Sequence, residues 1–275
     1  MPEQQQHLHW GAETLWEQLE PLLPGLSVEV VARCESTNTR LLDRARQHAG
    51  QRDAPVTRPG QIEDGATRSP YGRRAVDTQP CLLVAEHQTR GRGRLGRDWQ
   101  SAAGLSLTFS LSLPLAPQDW SGLSLAVGLA IAEALDPLPN DTQAPRLGLK
   151  WPNDLWLLDG PGAPTPGRKL GGILIETVAV GGRRMCVVGV GLNVRPQPAE
   201  GLSSGFACLQ ELQAAASAPA ALAALALPLV QTLQRFEAEG FAPLLPAYAR
   251  RDLLRGRAVT TTAPEALDCV AEGVD

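Results

Sequence analysis

The chain has 275 residues, 43% of them hydrophobic, and a formal net charge of −4. That is enough to bury one substantial core and lacks the basic balance of a general nucleic-acid binder. Its five cysteines are odd in number and scattered, with no C-x-x-C pair or Cys/His cluster, which argues against a disulfide framework or a zinc site and fits reduced thiols in a cytoplasmic protein. No apolar run reaches the roughly 18 residues of a membrane span, and MPEQQQHLHW lacks the basic-then-apolar layout of a signal peptide.

Residues 1–27 read as an N-terminal extension. Val28 to Ala32 alternate as a strand, and Ser36 is placed to cap a helix over Thr39 to Gln47. From about 48 to 79 the chain is polar, rich in Gly, Pro and Arg and without periodicity, which predicts a mobile surface insertion. CLLVAEHQ is a short apolar strand, and GLSLTFSLSL (Gly104 to Leu113) alternates as a half-buried antiparallel one. Ser121 to Leu135 is apolar nearly all round and predicts a buried helix. RLGLKWPNDLWLL, GRKLGGILIETV and RRMCVVGVGLNV are three strand-like segments, and 159–167 is a second surface loop. Ala214 to Leu227 and then LVQTLQRFEAEG predict a helix interrupted near Pro228, followed by a short helix over Pro243 to Asp252. Residues 255–275 look like the first strands of a small β unit that stops early. Strands in runs, without strict βαβ alternation, imply an α+β fold with a mostly antiparallel sheet.

Gly91, Gly93 and Gly96 spell G-x-G-x-x-G, but a dinucleotide turn requires a helix after the glycines, and here RDWQSAAG leads into a strand. A kinase glycine loop joins two strands, yet its H-R-D and D-F-G partners are missing. There remains a glycine loop carrying Arg90, Arg92, Arg94 and Arg97, whose guanidinium groups can grip phosphate or carboxylate oxygens bidentately. A solvated basic turn is the plain alternative. Three more stretches are dense in polar groups beside strands: Ser36, Thr37 and Asn38; Lys150, Trp151, Asn153 and Asp154 around a proline; and Arg168 and Lys169 before two glycines. Taken singly, each also reads as a helix cap, a hairpin or a strand start.

Together and in this order, STN, GRGRLGRDW, KWPND, GRKLGGILIE and GVGLNV resemble the motifs of the biotin protein ligases, the biotin–(acetyl-CoA-carboxylase) ligases. The resemblance runs from about Val28 to the C-terminus apart from the two insertions. It implies a catalytic domain over 28–254 related in architecture to class II aminoacyl-tRNA synthetases and lipoate ligases, with a partial C-terminal SH3-like β unit over 255–275. It implies biotin and ATP as substrates with Mg²⁺, biotinyl-5′-AMP as intermediate, and transfer of biotin to one lysine of a biotin carboxyl carrier protein domain. Ser36, Thr37, Asn38, Gln88, Arg92, Gly93, Arg94 and Lys169 are then expected at the biotin, with Lys169, Arg92 and Arg94 stabilising charge on the reacting groups. Trp151, Asn153 and Asp154 would shape the pocket floor, Asn193 would face the phosphates or the metal, and Arg97 and Lys150 would stand further out. No metal ligand is assigned to the protein itself. The arginine loop is expected to be a lid that becomes ordered when biotin or biotinyl-AMP binds. The segment before the first strand is too short for the DNA-binding domain that some family members carry, so no DNA partner is expected, and a homodimer is compatible with the sequence. A lipoate-type ligase of related fold and a non-catalytic binding role for the arginine loop stay open as rival readings.

Overall fold

The computed structural model describes residues 8–49, 78–140, 142–160, 166–180, 182–197, 205–260 and 268–274. Most of the two expected insertions lies outside these residues. The elements in chain order begin with α1 (Ala12–Leu19), β1 (Ser27–Cys34), α2 (Thr37–Ala49), β2 (Cys81–Gln88), β3 (Gly91–Arg92), β4 (Asp98–Trp99), β5 (Ser106–Pro114) and α3 (Leu123–Leu135). They continue with β6 (Leu147–Lys150), β7 (Asp154–Leu158), β8 (Gly167–Val180), β9 (Arg183–Asn193), α4 (Leu209–Leu212), α5 (Ala218–Glu239), α6 (Leu245–Ala249), β10 (Ala258–Thr260) and β11 (Asp268–Val270).

One seven-stranded sheet, in the order β1-β2-β5-β9-β8-β7-β6, carries the molecule. Only β1 and β2 run parallel; every other neighbour pair is antiparallel. The mixed, mostly antiparallel sheet agrees with the α+β expectation. Side-chain alternation divides the sheet's two faces. Leu107, Phe109, Leu111 and Leu113 of β5 and Val188, Val190 and Leu192 of β9 join the main core with residues of α1, α3 and α5. Leu83 of β2 and Val187 of β9 pack with Leu41 and Leu42 of α2. The sheet is therefore a middle layer, and β5 is buried along almost its whole length rather than half-buried. Its serines and threonine are covered too, each needing a partner: Thr108 donates to the Ala85 carbonyl at 2.7 Å.

Three further expectations change. The N-terminal segment holds a helix, α1, and Trp10, Leu15, Leu19, Leu23 and Leu26 enter the main core. The helix after Ser217 runs unbroken through Pro228. Proline inside a helix costs about 3 kcal/mol, whereas burying each of Leu222, Leu225, Leu229 and Leu233 gains roughly 1.5–3 kcal/mol, so packing wins. The KWPND stretch is two strands joined by a turn, β6 and β7, so the three strand-like segments become four strands. At the C-terminal end β10 and β11 form a separate antiparallel pair. No helix among the described residues is long and apolar enough to cross a membrane.

Candidate active site

On the α2 side of the sheet, β5 and β9 present small or polar residues where the opposite face presents large apolar ones, and this difference opens a cavity of about 620 Å³. The residues that the family resemblance placed at the site all line it: Ser36, Thr37, Asn38, Gln88, Arg92, Gly93, Arg94, Arg97, Lys150, Trp151, Asn153, Asp154, Lys169 and Asn193. His87 does not.

The start of α2 builds one wall. Ser36 Oγ accepts from the Thr39 amide at 3.4 Å, the helix cap expected from the sequence. Thr37 donates to Gln88 Oε1 twice, from its amide at 2.7 Å and its hydroxyl at 3.1 Å. That fixes the Gln88 amide orientation and turns its Nε2 end into the available donor. Ser110 Oγ lies 2.6 Å from both Thr37 Oγ1 and Asn38 Oδ1, so it couples the two residues from below. Asn38 Nδ2 donates to the Leu174 carbonyl and to Glu176 Oε2, each at 3.0 Å. Asn38 is thus a brace between α2, β5 and β8, with its carboxamide already satisfied at both ends.

The opposite wall comes from β7 and β8. In the antiparallel register Asp154 faces Gly172 and Leu155 faces Gly171, but Trp156 faces Lys169, so Leu170 is an extra residue, a β-bulge. Lys169 and Gly172 are three positions apart, which in a regular strand would place them on opposite faces. The bulge returns Lys169 to the face of Asp154, and its Nζ reaches Asp154 Oδ1 at 2.8 Å. Asn153 in the turn donates through Nδ2 to the Ile173 carbonyl at 2.8 Å and anchors the turn on β8. Lys150 Nζ sits 4.4 Å from the Trp156 ring centroid, a cation–π contact that places the cation at the rim. Trp151 is exposed at the edge. Asn193 donates to the Ala207 carbonyl at 3.0 Å and braces the chain after β9.

The glycine loop roofs the cavity. β3 and β4 pair as a two-residue hairpin, and the Gly93 amide donates to the Arg97 carbonyl at 2.7 Å. Leu95 at the tip has φ +57° and is 90% exposed, a conformation that L residues adopt at a cost of roughly 1–2 kcal/mol. Arg92 Nη2 contacts Glu176 Oε2 at 2.6 Å. Among the described residues Arg94 and Arg97 pair with no carboxylate. Among the described residues Arg92, Arg94, Arg97, Lys150 and Lys169 face the cavity against only Asp98 and Asp154, so the site suits an anionic ligand.

Ser110 lies outside the motifs quoted from the sequence, and Glu176, Trp99 and the glycines of β9, which stand within GRKLGGILIE, GRGRLGRDW and GVGLNV, were given no role there. A Cβ at Gly189 would overlap the Asn38 carboxamide, and one at Gly191 would overlap the Trp99 indole. The G-V-G spacing of β9 is therefore a packing requirement of this cavity. Trp99 lies on its wall with Nε1 buried and without a partner.

Residues 76–193 match the model of the Biotin/lipoate A/B protein ligase family. The chain is 30% identical over 204 residues to the biotin–(acetyl-CoA-carboxylase) ligase of Paracoccus denitrificans, covering 70% of this chain and 80% of that protein. It is 34% identical over 242 residues to the bifunctional ligase/repressor BirA of Escherichia coli K12, 86% of this chain and 63% of the relative. Against that protein, its Salmonella typhimurium counterpart and a Mycobacterium tuberculosis ligase, the chain spans only 51–63% of the relative's length. The structure of the Aquifex aeolicus biotin protein ligase in complex with biotin and ATP superposes with a TM-score of 0.60 at 24% identity, covering 92% of this chain and 88% of that one, a likeness of fold. With its motifs gathered on one cavity, the chain belongs to the biotin/lipoate A/B protein ligase family.

Proposed function

We propose that this protein is an ATP-dependent biotin protein ligase, which makes biotinyl-5′-AMP and passes biotin to one lysine of a biotin carboxyl carrier protein domain. The observation that carries the reading is the meeting of Lys169 and the arginine loop over the polar wall of Thr37 and Gln88 in one cavity. Relatives named as biotin ligases favour biotin over lipoate.

The chemistry asks for positioning and charge stabilisation rather than a protein nucleophile. The substrate's own carboxylate attacks the α-phosphorus of ATP and pyrophosphate leaves, so negative charge gathers on the phosphate oxygens. Lys169, held by Asp154, and Arg92 and Arg94 supply fixed cationic donors for it. Gln88 Nε2 offers a donor to the carbonyl of a neutral head group. The mixed anhydride hydrolyses if water reaches it, and the glycine loop is the lid that shields it. In the second step the acceptor amine attacks the acyl carbon and AMP departs. Among the described residues there is no cluster of three or more His, Cys, Asp or Glu side chains that could hold a metal. Mg²⁺ would be carried on the ATP phosphates, with Asp154 and Asp98 as the wall carboxylates that could approach it. It would supply neutralisation of the phosphate charge.

The test is ATP–pyrophosphate exchange with biotin or lipoate as the acid, followed by label transfer to a carrier domain. Exchange with biotin and not lipoate supports the reading. No exchange with either acid overturns it.

A further inference from the structure

Among the described residues two acidic side chains reach the arginine loop, Glu35 at 3.9 Å from Arg90 and Glu176 at 2.6 Å from Arg92, and nothing in the proposed chemistry uses Glu176. It stands on β8, two residues beyond Leu174, whose carbonyl already holds Asn38. Its Oε2 accepts from Asn38 Nδ2 at 3.0 Å and from Arg92 Nη2 at 2.6 Å. A single carboxylate oxygen thus joins the start of α2 to the roof of the cavity. The two side chains are partly exposed, 43% for Arg92 and 26% for Glu176, so the contact lies at the surface rather than in the core. It also marks a boundary. A second cavity of about 570 Å³, reaching from the loop to the start of α3, is lined by both Arg92 and Glu176, whereas the first cavity is lined by Arg92 alone of the two.

We propose that Glu176 is a positioning residue: it orients Arg92 for the substrate anion and clamps the glycine loop over the cavity. The proposal rests on the ligase reading for the identity of that anion. Arg92 follows a glycine and precedes another, so its backbone is free to wander, and β3 pairs with only two residues. A guanidinium has five donors in a rigid fork, and the Glu176 contact engages Nη2. Nε and the remaining N–H groups stay available to a carboxylate or phosphate while the side chain is held. An arginine fixed in advance does not lose its rotamer freedom on binding, an advantage of roughly three- to tenfold in affinity.

The test uses the full chain with Glu176→Gln, which keeps the shape and an oxygen for Asn38, and Glu176→Asp, which keeps the charge on a shorter arm. In biotin-dependent pyrophosphate exchange the Gln variant should raise KM for biotin about fivefold and change kcat less than about twofold. In an Arg92→Ala background the same change should add less than about twofold, because the partner is gone. Trypsin without added ligand should cut after Arg92 and Arg94 about threefold faster in the Gln variant, with cleavage sites assigned by mass spectrometry. Unchanged KM and unchanged proteolysis in the Gln variant overturn the proposal. So does a KM effect that persists in full when Arg92 is alanine, since Glu176 would then act through Asn38. Should the wild type show no exchange while the proteolysis difference holds, the ligase reading fails and the clamp on Arg92 stands.

Discussion

Lys169 Nζ lies 2.8 Å from Asp154 Oδ1, and the two side chains share a face of the sheet only because Leu170 is an extra residue in β8. The contact holds a flexible four-carbon side chain at one place on the cavity wall. A point cation that is fixed before substrate arrives is worth more to a developing negative charge than one that must be ordered first.

Replacing that cation should therefore strike the chemical step. Lys169→Ala is expected to lower kcat for pyrophosphate exchange by about 10²–10³-fold. The fold should survive, because the Lys169 side chain is 29% exposed and its backbone, not its ammonium, bonds Ala207. Steady-state exchange alongside circular dichroism checks both halves. Exchange within tenfold of wild type would remove Lys169 from the chemistry.

The glycines of β9 offer a steric test. Gly189→Ala pushes on the Asn38 carboxamide and Gly191→Ala on the Trp99 indole. Each is expected to cost about 1–3 kcal/mol of stability and to weaken biotin binding at least tenfold, because the displaced groups form the cavity wall. Calorimetric titration with biotin and chemical denaturation of each variant measure the two effects.

Outside the cavity Arg251 and Asp136 form a buried ion pair, 3% and 7% exposed. Arg251 Nη1 donates to Asp136 Oδ2 at 2.9 Å and to the Leu147 carbonyl at 3.0 Å, while that Asp136 oxygen also accepts the Arg146 and Leu147 amides. Arg251→Met leaves a buried carboxylate without its counter-charge and should cost about 3–5 kcal/mol. A guanidinium chloride midpoint that does not move would contradict this.

Acid pH should weaken the clamp between β1 and α2. Arg44 donates to both oxygens of Glu29, at 2.7 and 2.8 Å, and that hydrogen bonding holds the Glu29 carboxyl below its ordinary value of 4.5. A carboxyl whose folded pKa is depressed stabilises the fold above the unfolded value and loses that contribution as pH falls through the folded one. Glu29→Gln should thus be less stable than wild type by about 0.5–1 kcal/mol at pH 7, the partly exposed pair being screened by solvent. The difference should vanish on acidification below the usual carboxylate range. Urea melts of both proteins between pH 7 and pH 3 give the comparison.

Much of this molecule is legible in its residues. Local periodicity marks β2, β5, α3 and the strands through β9, because a strand or a helix must put its apolar side chains on one side at a spacing that the backbone dictates. The polar motifs were visible as well, since residues such as Ser36, Thr37, Asn38 and the arginines around Gly93 are unusual beside apolar strands. Three things lay beyond local pattern. Whether Pro228 breaks its helix depends on how much apolar surface the whole helix buries, which no window of sequence contains. That β5 is covered on both faces depends on α2 crossing the far side of the sheet. The direction of Lys169 depends on a bulge, a register between two strands, and alternation along one strand would send it to the wrong face. The sequence by itself determined which groups are available to bind an anion. Only the tertiary structure decided that Asn38, Asn153 and Asn193 are occupied as braces, that Gln88 keeps a free donor, and that Glu176 holds Arg92. Hydrogen-bond partners are settled between distant segments, and a one-dimensional pattern carries no record of which segment arrives first at a given donor.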